Sequence, residues 1–330
     1  MPSVVNEHNR NLLALYGISL KKELKVASVM QLKDSNTDVR LHKSLYEKLI
    51  YAADNVAPSD IRLPEVTFGI ELEFIGSKNA IQLSSFNAAM HKLLGDKYFY
   101  SGAYTHNDGT SWILGRDGSL NVRDSSVPNP FGYELSSPKL NLFKEEDRNT
   151  VDLVIDLVKT YLLAEVNKSC GTHIHIGFNH NNIFRGSICD LLTAYSYMEK
   201  TVFDPIVPIS RRRNRYCRTT LPYPGNKYQK LSSRFCNFMY DGECRNLHFE
   251  FRQLEGTLDI KTILYWAELQ TYVLYDLLDH IDNMSYINLL TKRNIFDILF
   301  RYSFNSSLIS FFIGRIIDFK TRASIQAIAG

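Results

Sequence analysis

The sequence predicts an α+β fold built on a mainly antiparallel β-sheet, and three observations lead to that class. Short segments alternate between apolar and polar residues, which is typical of strands with one buried face. Other segments repeat apolar residues every three or four positions, as amphipathic helices do. The two kinds do not follow a strict strand–helix–strand order, and neither GxGxxG nor GxxxxGK[ST] occurs. A dinucleotide-binding fold or a P-loop therefore has no support.

We divide the chain into a helical leader over residues 1–60, a central domain over 61–284 and a helical extension over 285–330. Pro58 and Pro64 interrupt the helical pattern of the leader before the first strand. Alternation predicts strands at 66–75, 133–135, 172–178 and 247–254, with one short strand near Trp112 among the loops of 96–132. Helical spacing of apolar residues predicts helices at 84–94, 145–165, 187–200 and 259–280.

Composition excludes several classes of protein. With 45% hydrophobic and 22% charged residues in 330, the chain is not a disordered polymer. Thirty-eight basic against 35 acidic residues leave a net charge of +3, which gives no reason to expect a nucleic-acid-coating surface. No apolar run approaches the roughly 20 residues of a membrane helix, and the polar start is not a secretory signal. Five cysteines without a CxxC pair indicate reduced thiols, so we expect a cytoplasmic protein.

Each clear strand carries charged or imidazole side chains on one face and large apolar side chains on the other. Glu71 and Glu73 lie two residues apart, so they share a face about 7 Å apart. Two such carboxylates repel each other unless water or a cation intervenes. His173 and His175 share a face in the same way. The other strands contribute Glu134, and then His248, Glu250 and Arg252.

Taken singly, these patterns have ordinary structural explanations. An E-x-E pair is commonly the wet face of a sheet, and E-x-R is commonly an ion pair along one strand. Their joint occurrence favours one shared site, with helices covering the apolar side of the sheet and the charged side lining a cleft. Carboxylates and imidazoles are ligands for Mg²⁺ or Mn²⁺, and arginine binds phosphate.

Four segments resemble the amidoligase family, which belongs to the glutamine synthetase-like carboxylate–amine ligase superfamily. They are FGIELEF (68–74), GYELSSPKL (132–140), SCGTHIHIG (169–177) and HFEFRQLEGTLD (248–259). The resemblance extends over about residues 66–275, and the leader and tail carry none. It implies a glutamine synthetase-like sheet curved into a half-barrel, with ATP entering one end and substrate the other. It also implies two or three divalent cations, Mg²⁺ or Mn²⁺.

The resemblance also implies roles for single residues. Five of them resemble metal ligands: Glu71, Glu73, Glu134, His173 and Glu250. His175 resembles a phosphate-contacting residue, and Arg252 the residue that steadies the transferring phosphoryl group; with Glu250, these two form the implied catalytic set. One departure concerns a second acid that the synthetases carry after the position of Glu134, because residues 138–141 offer none. The third metal is then absent or held by water.

An arginine-rich loop covers residues 205–230. It contains Arg211, Arg212, Arg213, Arg215 and Arg218. In the family a basic segment here lies over the nucleotide and the acyl phosphate, which makes Arg211, Arg218 and also Arg234 candidate ATP contacts. A solvated patch and a nucleic-acid contact remain the alternatives. Asp117 is foremost part of an Asp-Gly turn, with a base or substrate contact as the alternative.

The resemblance implies an ATP-dependent enzyme that joins a carboxylate to an amine through an acyl phosphate and releases ADP and phosphate. Its partners would be small-molecule or peptide substrates, with a macromolecular acceptor left open and no membrane. The leader and tail would shape the entrance or a homo-oligomer contact. Three alternatives stay open: a phosphotransferase of the same fold, a cupin-like metal-binding protein and a non-catalytic binding module.

Overall fold

The computed structural model describes residues 66–95, 99–102, 109–179, 194–195, 198–212, 217, 231–232, 236–240, 246–280, 294–302, 307–309 and 311–316. The predicted leader lies outside these residues, and so do most of the predicted helix over 187–200 and much of the tail. Arg218 and Arg234 also lie outside them.

Nine strands in the described part of the chain pair into one sheet. They are β1 Val66–Ser77, β2 Phe99–Ser101, β3 Trp112–Arg116, β4 Pro130–Ser136, β5 Leu140–Asn141, β6 Gly171–Asn179, β7 Leu231–Ser232, β8 Cys236–Tyr240 and β9 Asn246–Glu255. The spatial order is β2-β3-β4-β1-β6-β9-β8-β7, and β5 pairs with β1. Of these pairs β2–β3 is parallel and the rest are antiparallel. The predicted α+β class is confirmed, although the segment 96–132 holds two short strands where one was predicted.

Five α-helices with complete bounds accompany the sheet in the described residues, as well as a π-helical turn over Glu199–Phe203 and helical residues at 307–309 and 311–316. They are α1 Ala80–Leu94, α2 Glu145–Leu162, α3 Ile209–Arg212, α4 Ile260–His280 and α5 Ile295–Tyr302. The helix α1 starts four residues before the predicted position, because the Asn79 side chain accepts the Ile81 N–H (3.0 Å) and caps the helix there. It ends at Gly95, as predicted, where φ is +85°. Within the described residues, no helix combines the length and apolarity needed to cross a membrane.

The two faces of the central strands differ as the alternation predicts. Along β1 the apolar residues are 2% exposed or less: Phe68, Ile70, Leu72 and Phe74. Helix α2 contacts β1 and buries its own stripe of valine, isoleucine and leucine. Arg148 of α2 pairs with Glu268 of α4 at 3.5 Å, and Gln270 of α4 donates to Gln253 of β9 at 2.6 Å. Helices α2 and α4 therefore cover the apolar face, which leaves the charged face without them.

The described residues divide into two units by their contacts. The larger takes in the described residues up to 179 and from 209 to 271, and it contains the whole sheet. The smaller takes in those from 194 to 208 and from 272 onward. Within it the Tyr302 hydroxyl donates to Asp276 (3.0 Å), and Arg315 Nε donates to the Ile206 carbonyl (2.8 Å).

Candidate functional site

The register of the central strands places the predicted site residues next to one another. Glu71 of β1 is the direct partner of His173 of β6, and Glu73 is the direct partner of Glu134 of β4. His175 of β6 is paired in turn with Glu250 of β9. Side chains of directly opposed residues lie about 5 Å apart at Cβ and point to the same face. Residues far apart in the chain thus meet on the charged face of one sheet.

His173 is the centre of this group and is 1% exposed. Its Nδ1 lies 2.8 Å from Glu71 Oε2 and 3.5 Å from Glu250 Oε1, and its Nε2 lies 3.3 Å from Glu73 Oε1. The β6–β9 register shifts between Thr172 and Ile174, where His173 alone stands opposite Arg252 and Gln253, so the extra residue of this bulge belongs to β9. Such a bulge re-aims a side chain. Here it accompanies an imidazole that contacts three carboxylates.

His175 and Arg252 extend the group on either side. His175 Nε2 lies 3.3 Å from Glu71 Oε1, so Glu71 contacts both histidines. Arg252 Nε lies 3.2 Å from Glu250 Oε1 and 3.3 Å from His173 Nε2. The guanidinium and both imidazoles therefore belong to one network with the carboxylates.

The network treats two of its carboxyl groups in opposite ways. Burial acts to raise the pKa of Glu71, but hydrogen bonds from His173 and His175 outweigh it and hold that pKa well below its ordinary value of 4.5. Burial, followed by repulsion from Glu71, Glu73 and Asp117, raises the pKa of Glu134 to about 8, although Arg252 opposes the shift. The acids at the Glu134 end thus outnumber the basic groups that neutralise them.

Three sets of described residues bring together ligand atoms of the kind that hold a metal ion. They are Glu71, Glu134 and His173; Glu71, His175 and Glu250; and Glu73, Asp117 and Glu134. Within each set the ligand atoms lie within 4.8 Å of one another. Carboxylate oxygens dominate all three sets, and such oxygens suit hard divalent cations such as Mg²⁺ or Mn²⁺.

A cavity of about 240 Å³ opens on this face. Acids and arginines both line it: Glu73, Asp117, Glu134, Arg116, Arg211 and Arg252. Gly115, Ser119, Ser169 and His173 complete the lining. The cavity therefore presents negative and positive groups to the same small volume.

Arg211 is 3% exposed, and its Nη2 donates to the Arg252 carbonyl oxygen at 2.6 Å. A Cβ on Gly171 would lie 2.5 Å from that Nη2, so the glycine leaves the space that the guanidinium occupies. For Arg211 the solvated-patch alternative is wrong, because the side chain is buried. The neighbouring Arg212 is exposed.

Eight of the ten predicted site residues lie together in the described structure: Glu71, Glu73, Glu134, His173, His175, Arg211, Glu250 and Arg252. Arg218 and Arg234 fall outside the described residues. Sequence reasoning gave little weight to Asp117, because Asp-Gly is a common turn. Its signal was the position just after the strand that pairs with Glu134.

A protein-family model described as "Putative amidoligase enzyme" matches residues 64–232, which is about half of the chain. The chain belongs to the amidoligase family. This membership indicates an enzyme of the ligase type. The match includes the family segments that carry Glu71, Glu73, Glu134, His173, His175 and Arg211. It ends before Glu250 and Arg252 of this amidoligase, which the structure places beside His173. A search of curated proteins found no match.

Proposed function

We propose that this amidoligase is an ATP-dependent carboxylate–amine ligase that forms an amide bond and releases ADP and phosphate. The supporting observation is the cavity beside His173, in which clustered carboxylates, the buried Arg211 and the half-buried Arg252 face one volume. A ligand with both divalent cations and phosphate groups, such as Mg²⁺–ATP, matches that pair of charges. We extend the proposal to a glutamine synthetase-like sheet.

The residues fit a divalent metal by their donor chemistry. Glu71, Glu73, Glu134, His173 and Glu250 would hold Mg²⁺ or Mn²⁺, because these side chains occur in the three sets with closely spaced ligand atoms. The raised pKa of Glu134 supports this assignment, since a cation would offset the repulsion from the neighbouring acids. A bound metal would neutralise negative charge on the phosphate oxygens.

The chain's own arginines and His175 would bind and orient the phosphate groups. Arg252 is held by Glu250 and His173, and Arg211 is held by the Arg252 carbonyl, so neither guanidinium needs to be ordered on binding. Fixed donors of this kind stabilise charge that develops on the equatorial oxygens during phosphoryl transfer. His175, which lies against Glu71, would make a further contact to phosphate.

The chemistry follows from the leaving group. A carboxylate does not condense directly with an amine, because the departing oxygen would leave as hydroxide. Transfer of the γ-phosphoryl group from ATP to the carboxylate breaks the bond to the β-phosphate oxygen and yields ADP and an acyl phosphate. The neutral amine then attacks the acyl carbon, the C–O bond to phosphate breaks, and the amine proton passes to solvent or a nearby carboxylate.

The test measures ADP, free phosphate and product mass for purified protein with Mg²⁺–ATP and a panel of carboxylates and amines. Wild type is compared with Glu250→Gln and with Glu145→Gln, a control at an exposed site on α2. We expect phosphate release that requires both substrates in wild type and in the control. It should fall at least about 100-fold in Glu250→Gln, since a carboxylate that would hold the charge-neutralising metal is lost.

The other outcomes discriminate among the alternatives. A stable phosphorylated product without free phosphate would identify a phosphotransferase. Tight transition-metal binding without any affinity for ATP would favour a cupin-like metal protein and overturn the ligase proposal. ATP bound in a Mg²⁺-dependent way without turnover of the small substrates would direct the panel to peptides and proteins.

A further inference from the structure

Asp117 lies at the acidic end of the cavity although it comes from a different part of the sheet than the predicted ligands. Its N–H donates to the Gly132 carbonyl at 2.9 Å, directly beyond the β3–β4 pairing in which Gly115 opposes Glu134. The Asp117 carbonyl packs so closely on Gly132 that a Cβ there would collide with it. The backbone thereby fixes Asp117 beside Glu134.

The Asp117 carboxylate is oriented as well as placed. Its Oδ1 accepts the Ser119 N–H at 2.8 Å. The carboxylate still forms a set with Glu73 and Glu134 in which one oxygen of each lies within 4.8 Å of the others. This set differs from the two that involve the histidines, and it lies on the lining of the cavity.

An independent observation points to a ligand in this cavity. Arg211 is 3% exposed and lines the same volume, and its Nε has no hydrogen-bond partner among the described residues. Its Nη2 gives a hydrogen bond to a backbone carbonyl, which carries no full charge. A buried guanidinium is costly without an anion. An anion placed here would be repelled by the three carboxylates nearby. A cation between the anion and the carboxylates would offset that repulsion.

We propose that Asp117, with Glu73 and Glu134, binds a divalent cation whose attached anion is bound by Arg211. The attached anion is a phosphate group. Asp117 thereby replaces the second acid that residues 138–141 do not supply after Glu134. This inference rests on the proposed function, because it assigns a further metal ligand to the same site.

The test counts bound Mn²⁺ from the electron paramagnetic resonance signal of the free ion, without ATP or substrates. Wild type is compared with Asp117→Asn and with Asp124→Asn, a matched change at an exposed aspartate seven residues away. The amide oxygen of asparagine can still accept the Ser119 N–H, and thermal unfolding checks that each variant is folded. Asp117→Ser is a second variant that can keep this turn.

We expect Asp117→Asn to lose one Mn²⁺ or to bind it at least about tenfold more weakly, and Asp124→Asn to match wild type. Wild-type stoichiometry and affinity in folded Asp117→Asn and Asp117→Ser would overturn the metal-ligand assignment. Inorganic phosphate should tighten Mn²⁺ binding in wild type but not in Arg211→Gln. Equal tightening in both would overturn the role of Arg211.

These measurements separate this inference from the proposed function. A chain that shows the Asp117-dependent Mn²⁺ but no ATP-dependent ligation would retain the metal site and lose the ligase proposal. An active ligase with unchanged Mn²⁺ binding in Asp117→Asn would retain the ligase proposal and lose the assignment of Asp117.

Discussion

Glu71 and His173 are register partners on β1 and β6, and Oε2 of the first lies 2.8 Å from Nδ1 of the second. The two residues are 102 positions apart in the chain, and the antiparallel pairing of β1 with β6 brings them together. A shift of that pairing by one residue would turn His173 toward the apolar face. The same pairing that completes the core therefore completes the site.

The Glu71–His173 contact should appear in the acid stability of the metal-free protein. The pKa of Glu71 is lowered, so its contribution is present above the ordinary value of 4.5 and is lost as pH falls below it. We expect Glu71→Gln to lower the free energy of unfolding at pH 6 by about 1 to 3 kcal/mol. This difference in the free energy of unfolding should shrink on acidification to pH 3.5. Urea titrations with chelator present measure it. A deficit that does not change with pH, or one equal to that of the exposed Glu145→Gln, would contradict this.

Gly171→Ala should affect binding more than stability. The added Cβ meets the end of the flexible Arg211 side chain, so the guanidinium can move aside at a cost of roughly 1 kcal/mol or less. We expect Mg²⁺–ATP affinity, measured by calorimetry, to fall as far as it does in Arg211→Gln. The double variant should bind no more weakly than Arg211→Gln alone, because both changes remove one interaction.

Gly102→Ala is the control for this comparison, since a Cβ there meets nothing within 4 Å. Additive losses of affinity in the double variant would show that Gly171 does not act through Arg211.

Glu268 should make stability depend on pH in the opposite direction to Glu71. Burial raises its pKa to about 7, although Arg148 opposes the shift, and the residue is 3% exposed. A raised carboxyl pKa gives stability that is lost as pH rises from about 4.5 through 7. We expect the free energy of unfolding of Glu268→Gln, relative to that of wild type, to rise by roughly 1 to 3 kcal/mol between pH 5 and pH 8 in denaturant titrations.

Arg148→Gln provides a change of the opposite sign to Glu268→Gln. Without the guanidinium at 3.5 Å, ionised Glu268 loses its partner, so the loss of stability toward pH 8 should be steeper than in wild type. Parallel pH profiles for wild type and both variants would contradict the assignment.

Substitutions at neighbouring positions of α2 should differ in their effect on stability, depending on whether the residue belongs to the buried apolar stripe. Ile155 is fully buried, so Ile155→Ala should lower the free energy of unfolding by about 2 to 5 kcal/mol. Leu153 is 52% exposed, and Leu153→Ala should change it by about 0.5 kcal/mol or less. Equal losses in chemical denaturation would mean that α2 packs through another face.

Much of the sheet could be predicted because strand alternation is local. The segment 66–75 shows its two faces in consecutive residues, and the observed β1 extends it by two residues to Ser77. The same holds for β6 and β9, which exceed their predicted bounds by one residue at each end. The candidate acids, histidines and Arg252 could be read from these faces without knowledge of the strand order.

The joint occurrence of the strand patterns predicted that these residues share a site, and tertiary structure decided which of them meet. Asp117 joins Glu134 through the β3–β4 pairing, and Arg211 lies against Gly171, forty residues earlier in the chain. The opposite pKa shifts of Glu71 and Glu134 likewise depend on neighbours from other strands. The sequence by itself determined the face of each side chain, because direction along a strand repeats every two residues. Contacts between strands follow from pairing register and loop closure, which no local pattern contains.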